Sequence, residues 1–364
     1  MSDRYADFRA LAQRLSVDAV ALVPGANFAR LFEADFHTSE RPLVVLIPAA
    51  GPPAALVPNL ELGSFGLIQF EGPVFDWRDQ TGYADAFAAM AKHTPLRSVA
   101  VEGQVMRVFV HHALTTANPG LKVIDAERDI SALRLCKTTQ EISALERAIA
   151  ISEAALTQVI ASVRVGDSEK SVEQRLIQAL FAHGAEALSF QPIVAAADNA
   201  ARPHAHARDD YALQPGDALL IDFGARWGGL NADITRTFFI QHASDRARDV
   251  YETVRRANAR GHAVAGPHVT PHDIDDAVTT VLENSPFAQY IRTKTGHGLG
   301  REVHEAPYIM RGNRQSLSPG MVFTNEPGLY IDGALGVRIE DDVVVTPDGC
   351  RSLTTFPREL RVIG

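Results

Sequence analysis

Four carboxylates and one histidine in the C-terminal half of the chain have the types and spacing of a site for two metal ions. Asp222 and Asp233 lie in LLIDFGARWGGLNADITRTFF, His297 in TGHGLG, Glu326 in TNEPGLY and Glu340 in VRIEDD. Four acidic groups in one pocket would repel one another and be costly to desolvate, so they would take up protons or bind cations. Two divalent ions balance four negative charges, and the leading prediction is therefore a dinuclear metal site.

Hairpin spacing predicts that Asp222 and Asp233 share one face of a sheet. Residues 218–223 and 231–240 have the composition of strands and are joined by a turn in the segment WGG. A turn centred on WG would place the two aspartates directly opposite each other, and a turn centred on GG would make them diagonal neighbours. Both registers keep the carboxylates on one face, because side chains alternate with a period of 2. Their Cβ atoms would lie about 4.5–8 Å apart.

The second acidic pair repeats this arrangement. Glu326 and Glu340 are symmetric about Gly333, and strand-like residues flank them in GMVFTN and VVVT. Pro327 limits how far the first of these strands can pair within a sheet. Two hairpins that each supply one acidic pair predict an internally duplicated half-barrel.

The ordered motifs PHAH, IDFG…NADITRT, TGHGLGREVHEAP, NEPGLY and RIEDD resemble the metallopeptidase family that includes methionine aminopeptidase, aminopeptidase P and prolidase. The resemblance runs from about Lys137 to Leu360 and implies the α+β fold known as pita-bread. It also implies that two metal ions are ligated by Asp222, Asp233, His297, Glu326 and Glu340. Asp233 and Glu340 match the positions that contact both ions. All five positions are intact, which argues against creatinase-type relatives that have lost the ligands.

The resemblance also implies two histidines that contact substrate and stabilise the tetrahedral intermediate. They match His204 in ARPHAH and His304 in VHEAP. The stretch that follows His204 is one residue longer than usual, so His206 is a rival for that role. Many relatives carry a histidine four residues before the ligand histidine, where this chain has Thr293.

The expected chemistry follows from these groups. Two cations lower the pKa of a bridging water, so that hydroxide becomes available as the nucleophile, and they polarise the scissile carbonyl. Glu326 would carry the proton to the leaving nitrogen, and His204 and His304 would donate hydrogen bonds to the oxyanion. Oxygen-rich ligation with one imidazole favours Mn, with Co or Zn as alternatives.

Composition fits a two-domain enzyme and argues against several other classes. The chain has 364 residues, 46% of them hydrophobic, and a net charge of −9, which argues against nucleic-acid or membrane partners. Two cysteines far apart, Cys136 and Cys350, predict a reducing, cytoplasmic compartment. The N-terminus lacks a signal-type apolar core, and prolines break the apolar runs, so no membrane span is expected. Histidines without a motif, among them His262, are expected to be surface groups.

The first part of the chain reads as a small α/β domain, because strand candidates such as AVALV, PLVVLIP and SVAVE alternate with helical stretches such as YADFRALAQRL and YADAFAAMAKH. A capping box at Thr138–Glu141 then begins a new helix. We therefore predict an N-terminal α/β domain over residues 1–130 and a pita-bread catalytic domain over residues 131–364. Within the family, such an N-terminal domain accompanies aminopeptidase P, prolidase and creatinase relatives.

The resemblance thus points to hydrolysis of the bond before proline in a small peptide with proline at its second position. The length favours prolidase, which cuts dipeptides. The alternative is aminopeptidase P, which accepts longer peptides. A homodimer is expected, in which the N-terminal domain lines the partner's active site. His37 and Arg41, in FEADFHTSERP, are then candidates to bind a dipeptide carboxylate.

Arg338 has three possible roles: it could orient Glu340, meet a substrate carboxylate or form a structural ion pair. His297 is expected to face the substrate as well as the metal ions. Two other classes of protein remain open at this point. One is a metal-free peptide-binding module on the same fold, and the other is a metal-dependent hydrolase of a non-peptide amide.

Overall fold

The computed structural model describes residues 3–37 and 39–364, which form two compact units. The first unit ends at Arg134 and the second comprises Leu135–Gly364. The predicted boundary at residue 130 falls inside a helix of the first unit, Glu127–Ser131. Ile130 in that helix is buried in the core of the first unit, which explains why the helix belongs there.

The first unit is built on a six-stranded mixed sheet with strand order β4-β3-β2-β1-β5-β6. Pairs β1–β5, β5–β6 and β3–β4 are parallel, and β1–β2 and β2–β3 are antiparallel. The strands are β1 Ala19–Leu22, β2 Val44–Pro48, β3 Ala54–Pro58, β4 Val74–Trp77, β5 Ser98–Val101 and β6 Lys122–Asp125. The helices are α1 Ala6–Arg14, α2 Ala26–Phe32, α3 Leu62–Leu67, α4 Ala84–His93, α5 Val108–Ala117 and α6 Glu127–Ser131.

Helices cover both faces of this sheet, and the alternation of side chains along β1 shows why. Val20 and Leu22 pack in one core cluster with residues of α1 and α2. Ala19 and Ala21 point the other way and pack with residues of α4 and α5. A strand buried on both faces needs a continuous apolar run, which AVALV supplies.

The second unit contains four long helices and four small sheets. Its helices are α7 Thr139–Ile160, α8 Glu169–Ala182, α9 Asp245–Val264 and α10 Pro271–Glu283. Its first strands are β7 Ala187–Leu188, β8 Ile193–Ala196, β9 Ala218–Phe223, β10 Ala225–Trp227, β11 Leu230–Asn231 and β12 Ile234–Ile240. The remaining strands are β13 Gly296–Gly298, β14 Glu305–Ile309, β15 Val322–Asn325, β16 Gly328–Ile331, β17 Leu335–Arg338, β18 Asp341–Thr346, β19 Gly349–Ser352 and β20 Arg361–Ile363.

The second unit has two similar halves. In the first half, α7 and α8 pack against strands β7–β11, and in the second half α9 and α10 pack against strands β14–β17. The strand orders are β20-β12-β9-β8, β11-β10-β7, β14-β13-β15-β18-β19 and β16-β17. The capping box predicted at the start of α7 is present, because Glu141 N donates to Thr138 Oγ1 and the Glu141 carboxylate accepts from Thr138 N. None of the helices in the described part of the chain combines the length and apolarity that a membrane crossing requires.

Candidate metal centre

The hairpin that carries the two aspartates adopts one of its two predicted registers. Asp222 in β9 pairs with Thr235 in β12, so Asp233 is the diagonal neighbour of Asp222. The turn is centred on Gly228 and Gly229, whose φ angles are 58° and 73°. A two-residue turn with positive φ at both positions favours glycine, and this explains why the pairing is centred on GG and not on WG.

The hairpin that carries the two glutamates has a single register along its whole length. Gly328 pairs with Arg338 at one end of β16–β17, and Asn325 pairs with Asp341 at the end of β15–β18. Extending the first ladder by two residues, or the second by one, places Glu326 opposite Glu340. The two ladders belong to different sheets, so the glutamates lie at the junction between them. Gly333 at the tip has a φ of 69°.

His297 lies in the three-residue strand β13, and its neighbours orient the ring. Its backbone N–H donates to Thr324 Oγ1 at 3.1 Å, and its Nδ1 lies 3.1 Å from the carbonyl oxygen of Gly298. A proton on Nδ1 leaves Nε2 as an acceptor, which is the form that binds metals. Nε2 points into the acidic cluster, 3.1 Å from Glu326 Oε1 and 3.7 Å from Asp233 Oδ2.

The five predicted ligands converge in one place. Three sets of side chains each bring their ligand atoms within 4.8 Å of one another. These sets are Asp222–Asp233–Glu340, His297–Glu326–Glu340 and Asp233–His297–His304. Because the sets share members, their ligand atoms surround a continuous space that can accept more than one ion.

Burial and like charge shift the pKa values of these carboxyls. Burial, followed by the charge of Glu340, raises the pKa of Asp233 well above its usual range. Burial, followed by the charge of Glu326, does the same to the pKa of Glu340. Burial also raises the pKa of Asp222, although Arg338 opposes it. Burial pushes the pKa of Glu326 upward, but the hydrogen bond and charge of His297 outweigh it, so the pKa is lowered.

Arg338 is buried next to this cluster, and each of its three guanidinium nitrogens donates to a protein acceptor. Its guanidinium donates to Asp222 Oδ2 at 2.5 Å, to Thr235 Oγ1 at 3.0 Å and to the Tyr330 hydroxyl at 2.8 Å. Of the three roles considered from the sequence, the structure has the ion pair, and its partner is Asp222 and not Glu340. The strand ladder β16–β17 brings Tyr330 and Arg338 together.

The residues present fit a pair of divalent ions. Asp222 Oδ1 is buried and has no hydrogen-bond partner among the described residues, although the other oxygen of the same carboxylate is bound to Arg338. A buried carboxylate oxygen without a donor is costly unless a cation satisfies it. The donor set of carboxylate oxygens and one imidazole nitrogen matches hard to borderline divalent ions.

Several supporting residues were missed by the sequence reading. Thr235 Oγ1 donates to Glu340 Oε2 at 2.5 Å, and Asp342 Oδ2 accepts from the backbone N–H of Asp233 at 3.2 Å. Arg236 donates to the Glu340 carbonyl at 2.6 Å and to Asp341 at 2.7 Å. Strand alternation could have indicated Thr235, since it lies two residues from Asp233 on the same face.

His262 is not the surface group that the sequence analysis predicted. Its Nε2 lies 3.0 Å from Asp341, and its side chain is only 16% exposed. Helix α9 packs against β15, β16 and β17, which brings His262 next to the buried strand β18. Asp341 also accepts from Arg236 and Arg358, so it is the centre of a buried polar network behind Glu340.

A cavity of about 770 Å³ opens onto the ligands. Its wall includes His204 and His304, whereas His206 is not part of it. The ring of His304 packs on that of His297, with centroids 3.9 Å apart. His304 is partly exposed, but burial, followed by the charge of His297, lowers its pKa to about 4. His304 is therefore neutral at pH 7 and can donate through one ring N–H.

The remaining predicted residues lie in the first unit. Arg41 is bound within that unit, where its guanidinium donates to Asp79 at 2.7 and 3.0 Å and also contacts Glu40. His37 is exposed. The residue after it, Thr38, lies outside the described residues. Their assignment to a partner's active site stays a prediction.

Two family models match the chain, "Metallopeptidase family M24" over residues 143–347 and "Creatinase/Prolidase N-terminal domain" over residues 4–136. A "Probable dipeptidase PepE" from Mycobacterium tuberculosis is 32% identical over 378 residues, covering 100% of this chain and 99% of that protein. Among solved structures, a prolidase from Thermococcus sibiricus has a TM-score of 0.94 and 31% identity, covering 99% of this chain and 98% of that one. An X-Pro aminopeptidase from Thermotoga maritima has a TM-score of 0.83 and 29% identity, covering 97% of this chain and 99% of that one.

These similarities confirm the expected fold, an α/β N-terminal domain followed by a pita-bread catalytic domain. They also confirm the resemblance drawn from the motifs. The M24 match spans residues 143–347, which include all five residues expected to hold divalent metal ions. The chain therefore belongs to metallopeptidase family M24 and carries the N-terminal domain of its creatinase and prolidase branch.

Proposed function

We propose that this metallopeptidase hydrolyses the Xaa-Pro bond of dipeptides. The observation that carries the proposal is the convergence of four carboxylates and the imidazole of His297 on one cavity, in a chain similar over nearly its full length to a prolidase. The substrate is a small peptide with proline at its second position. Phe190, Ile193 and Met310 supply apolar surface in the same cavity for the proline ring and the preceding side chain.

The ions are held by Asp222, Asp233, His297, Glu326 and Glu340, and manganese is the metal we propose, since most donors are carboxylate oxygens. When bound, two divalent ions polarise the scissile carbonyl and lower the pKa of the attacking water. Arg338 holds one oxygen of Asp222, so the other oxygen is free to bind an ion. Thr235 restrains Glu340 in the same way from one side.

The chain's own residues move the protons and stabilise the charge that develops. Glu326, whose Oε1 lies 3.1 Å from both Thr324 Oγ1 and His297 Nε2, accepts the proton of the attacking water and passes it to the leaving proline nitrogen. His304, held neutral, donates a hydrogen bond to the oxygen of the scissile carbonyl as it becomes negative. His204, on the same wall, is the second donor.

We also propose an oligomeric state and a cellular location, each from a single feature of the sequence. A homodimer in which His37 and Arg41 approach the partner's cavity would give the polar segment 32–42 a role. A cytoplasmic location fits the two free thiols, Cys136 and Cys350.

The test is hydrolysis of Ala-Pro beside Ala-Pro-Ala after loading with Mn²⁺, together with the metal content of the purified protein. Wild type is compared with Asp233→Asn, which keeps the side-chain shape and removes one ligand charge. We expect cleavage of Ala-Pro alone, two bound ions per chain, and loss of both activity and full metal content in the variant.

Other outcomes would reassign the protein in defined ways. Cleavage of Ala-Pro-Ala at a comparable rate would make it an X-Pro aminopeptidase. Two bound ions without cleavage of either peptide would contradict the proline specificity and favour a non-peptide amide substrate. A protein that binds no metal and still binds the peptides would be a peptide-binding module.

A further inference from the structure

The short segment between α10 and β13 adds positive charge to the wall of the catalytic cavity. Arg292, Thr293 and Lys294 all line that cavity together with the metal ligands. Lys294 is exposed, and its Nζ lies 5.6 Å from the centre of the Tyr308 ring.

Lys294 differs from the other cations of the cavity in having no carboxylate partner. Within residues 3–37 and 39–364, no ion pair involves it. Arg292 donates to the Gln289 carbonyl at 2.6 Å and to the Asp332 carboxylate at 3.4 Å. Arg338 is occupied by Asp222, Thr235 and Tyr330. Among the described residues that line this cavity, Lys294 is therefore the cation available to a ligand.

A dipeptide ending in proline carries a carboxylate one bond beyond the proline Cα. A longer peptide has a neutral amide at that point. Two divalent ions only balance the four ligand carboxylates, so the carboxylate of the substrate needs another cation, and within one chain the cavity wall is the place to look for it. An ammonium without a carboxylate partner can form a charge-assisted hydrogen bond there.

We propose that Lys294 binds the C-terminal carboxylate of the substrate and thereby selects dipeptides over longer peptides. This inference rests on the proposed function. It assigns a specificity role to the segment in which Thr293 replaces the histidine that many relatives carry. The exposure of Lys294 at the cavity suits a residue that captures an anionic ligand as it enters.

The experiment uses two substrates that differ only in the carboxylate, Ala-Pro and Ala-Pro-amide, with the Mn²⁺-loaded full-length protein. Lys294→Met keeps the stem and removes the charge, and Lys294→Arg restores a cation. We expect KM for Ala-Pro to rise about tenfold in Lys294→Met, the size of one charged hydrogen bond, with a smaller change in kcat. KM for Ala-Pro-amide should stay within about twofold, and Lys294→Arg should recover most of the lost affinity.

Arg292→Met is the matched control, since it removes a cation of the same wall that is already engaged. Its KM for Ala-Pro should change by less than about twofold. Inhibition by free proline and by prolinamide supplies a readout separate from turnover: proline should inhibit Lys294→Met less strongly than wild type, whereas prolinamide should inhibit both equally.

The two proposals fail in different ways. If wild type cleaves Ala-Pro and Lys294→Met keeps the wild-type KM, the role of Lys294 is overturned. The peptidase assignment then stays intact. A large effect in Arg292→Met and none in Lys294→Met overturns it as well, in favour of Arg292. Wild type that cleaves neither Ala-Pro nor Ala-Pro-amide overturns the proposed function, and the role of Lys294 with it.

Discussion

The ammonium group of Lys137 lies 2.6 Å from a carboxylate oxygen of Glu305, and both side chains are almost completely buried. Lys137 also donates to the Leu135 carbonyl at 3.2 Å. Glu305 directly follows His304 and begins β14. The ion pair therefore connects the start of the catalytic unit to the loop that presents His304 to the cavity.

Lys137→Met should remove the buried ammonium that lies 2.6 Å from the Glu305 carboxylate. Removing one partner of a buried pair costs about 3–5 kcal/mol, which urea unfolding would measure. We also expect kcat to fall with metal content unchanged, because His304 loses the support of its neighbour. The double variant Lys137→Met/Glu305→Leu should regain most of the stability, since an apolar pair has no charge to desolvate.

The control for this prediction is the exposed pair between Arg351 and Glu146, at 2.8 Å and with side chains 51% and 42% exposed. Arg351→Met should change the free energy of unfolding by less than about 1 kcal/mol. An equal loss in Lys137→Met and Arg351→Met would show that burial of the Lys137 pair contributes nothing.

Gly296→Ala should abolish metal binding. A Cβ at this position would lie 1.9 Å from the backbone oxygen of Thr324, a contact that only movement of β13 could relieve. That movement would displace His297, whose backbone donates to Thr324 Oγ1. Metal analysis after dialysis measures the effect.

Gly349→Ala is the matched comparison, because nothing lies within 4 Å of its added Cβ. Its free energy of unfolding should change by no more than about 1 kcal/mol, and its metal content should be that of wild type. Full metal content in Gly296→Ala would refute the role of this close approach.

Asp233→Asn should stabilise the metal-free protein while preventing it from binding metal. Burial and the charge of Glu340 make an ionised Asp233 unfavourable without a cation. Neutralising it should raise the free energy of unfolding of the chelator-treated protein by about 1–3 kcal/mol at pH 8. Added Mn²⁺ should raise the melting temperature of wild type and leave the variant nearly unchanged. A chelated variant less stable than chelated wild type would contradict the repulsion argument.

Tyr211 should make stability depend on alkaline pH. Its hydroxyl donates to Asp217 at 2.9 Å, and burial followed by this hydrogen bond raises its pKa to about 12. The unfolded chain loses the same proton near pH 10. The contribution of Tyr211 is therefore complete below pH 10 and is lost as the pH rises towards 12.

The measurement is the difference in the free energy of unfolding between wild type and Tyr211→Phe at pH 8 and at pH 11. We expect wild type to be more stable by about 1 kcal/mol at pH 8 and the difference to shrink at pH 11. Other tyrosines are present in both proteins, so their titration cancels. A difference that stays constant or grows between these pH values would contradict the assignment.

The convergence of the five proposed ligands could be predicted because each lies in a short motif, and strand alternation sets the face of the two acidic pairs. The choice between two registers for Asp222 and Asp233 needed the turn, where both glycines have positive φ. The ion-pair partner of Arg338 is Asp222, 116 residues away, and no local sequence pattern specifies such a contact. The pairing of Lys137 with Glu305 spans 168 residues and was missed for the same reason.

The N-terminal domain was predicted from its most apolar strands. β1, β2 and β5 are nearly continuous buried runs and were predicted, whereas β3 was not predicted although all of its residues are buried. β4 and β6 were missed because they lie at the sheet edges, where several residues are exposed and the apolar signal is weak. Edge strands need only one hydrogen-bonded neighbour, so their sequences are less constrained.

The shared register on both sides of Glu326 and Glu340 has a consequence for insertions and deletions. A residue added between Glu326 and the paired strand β16 would turn that glutamate to the opposite face, because one step along a strand reverses the side chain. A residue added at the tip near Gly333 could be absorbed by the turn without shifting either ladder. Homologous chains should therefore vary in length at this tip, and the strands between it and the two glutamates should keep their length.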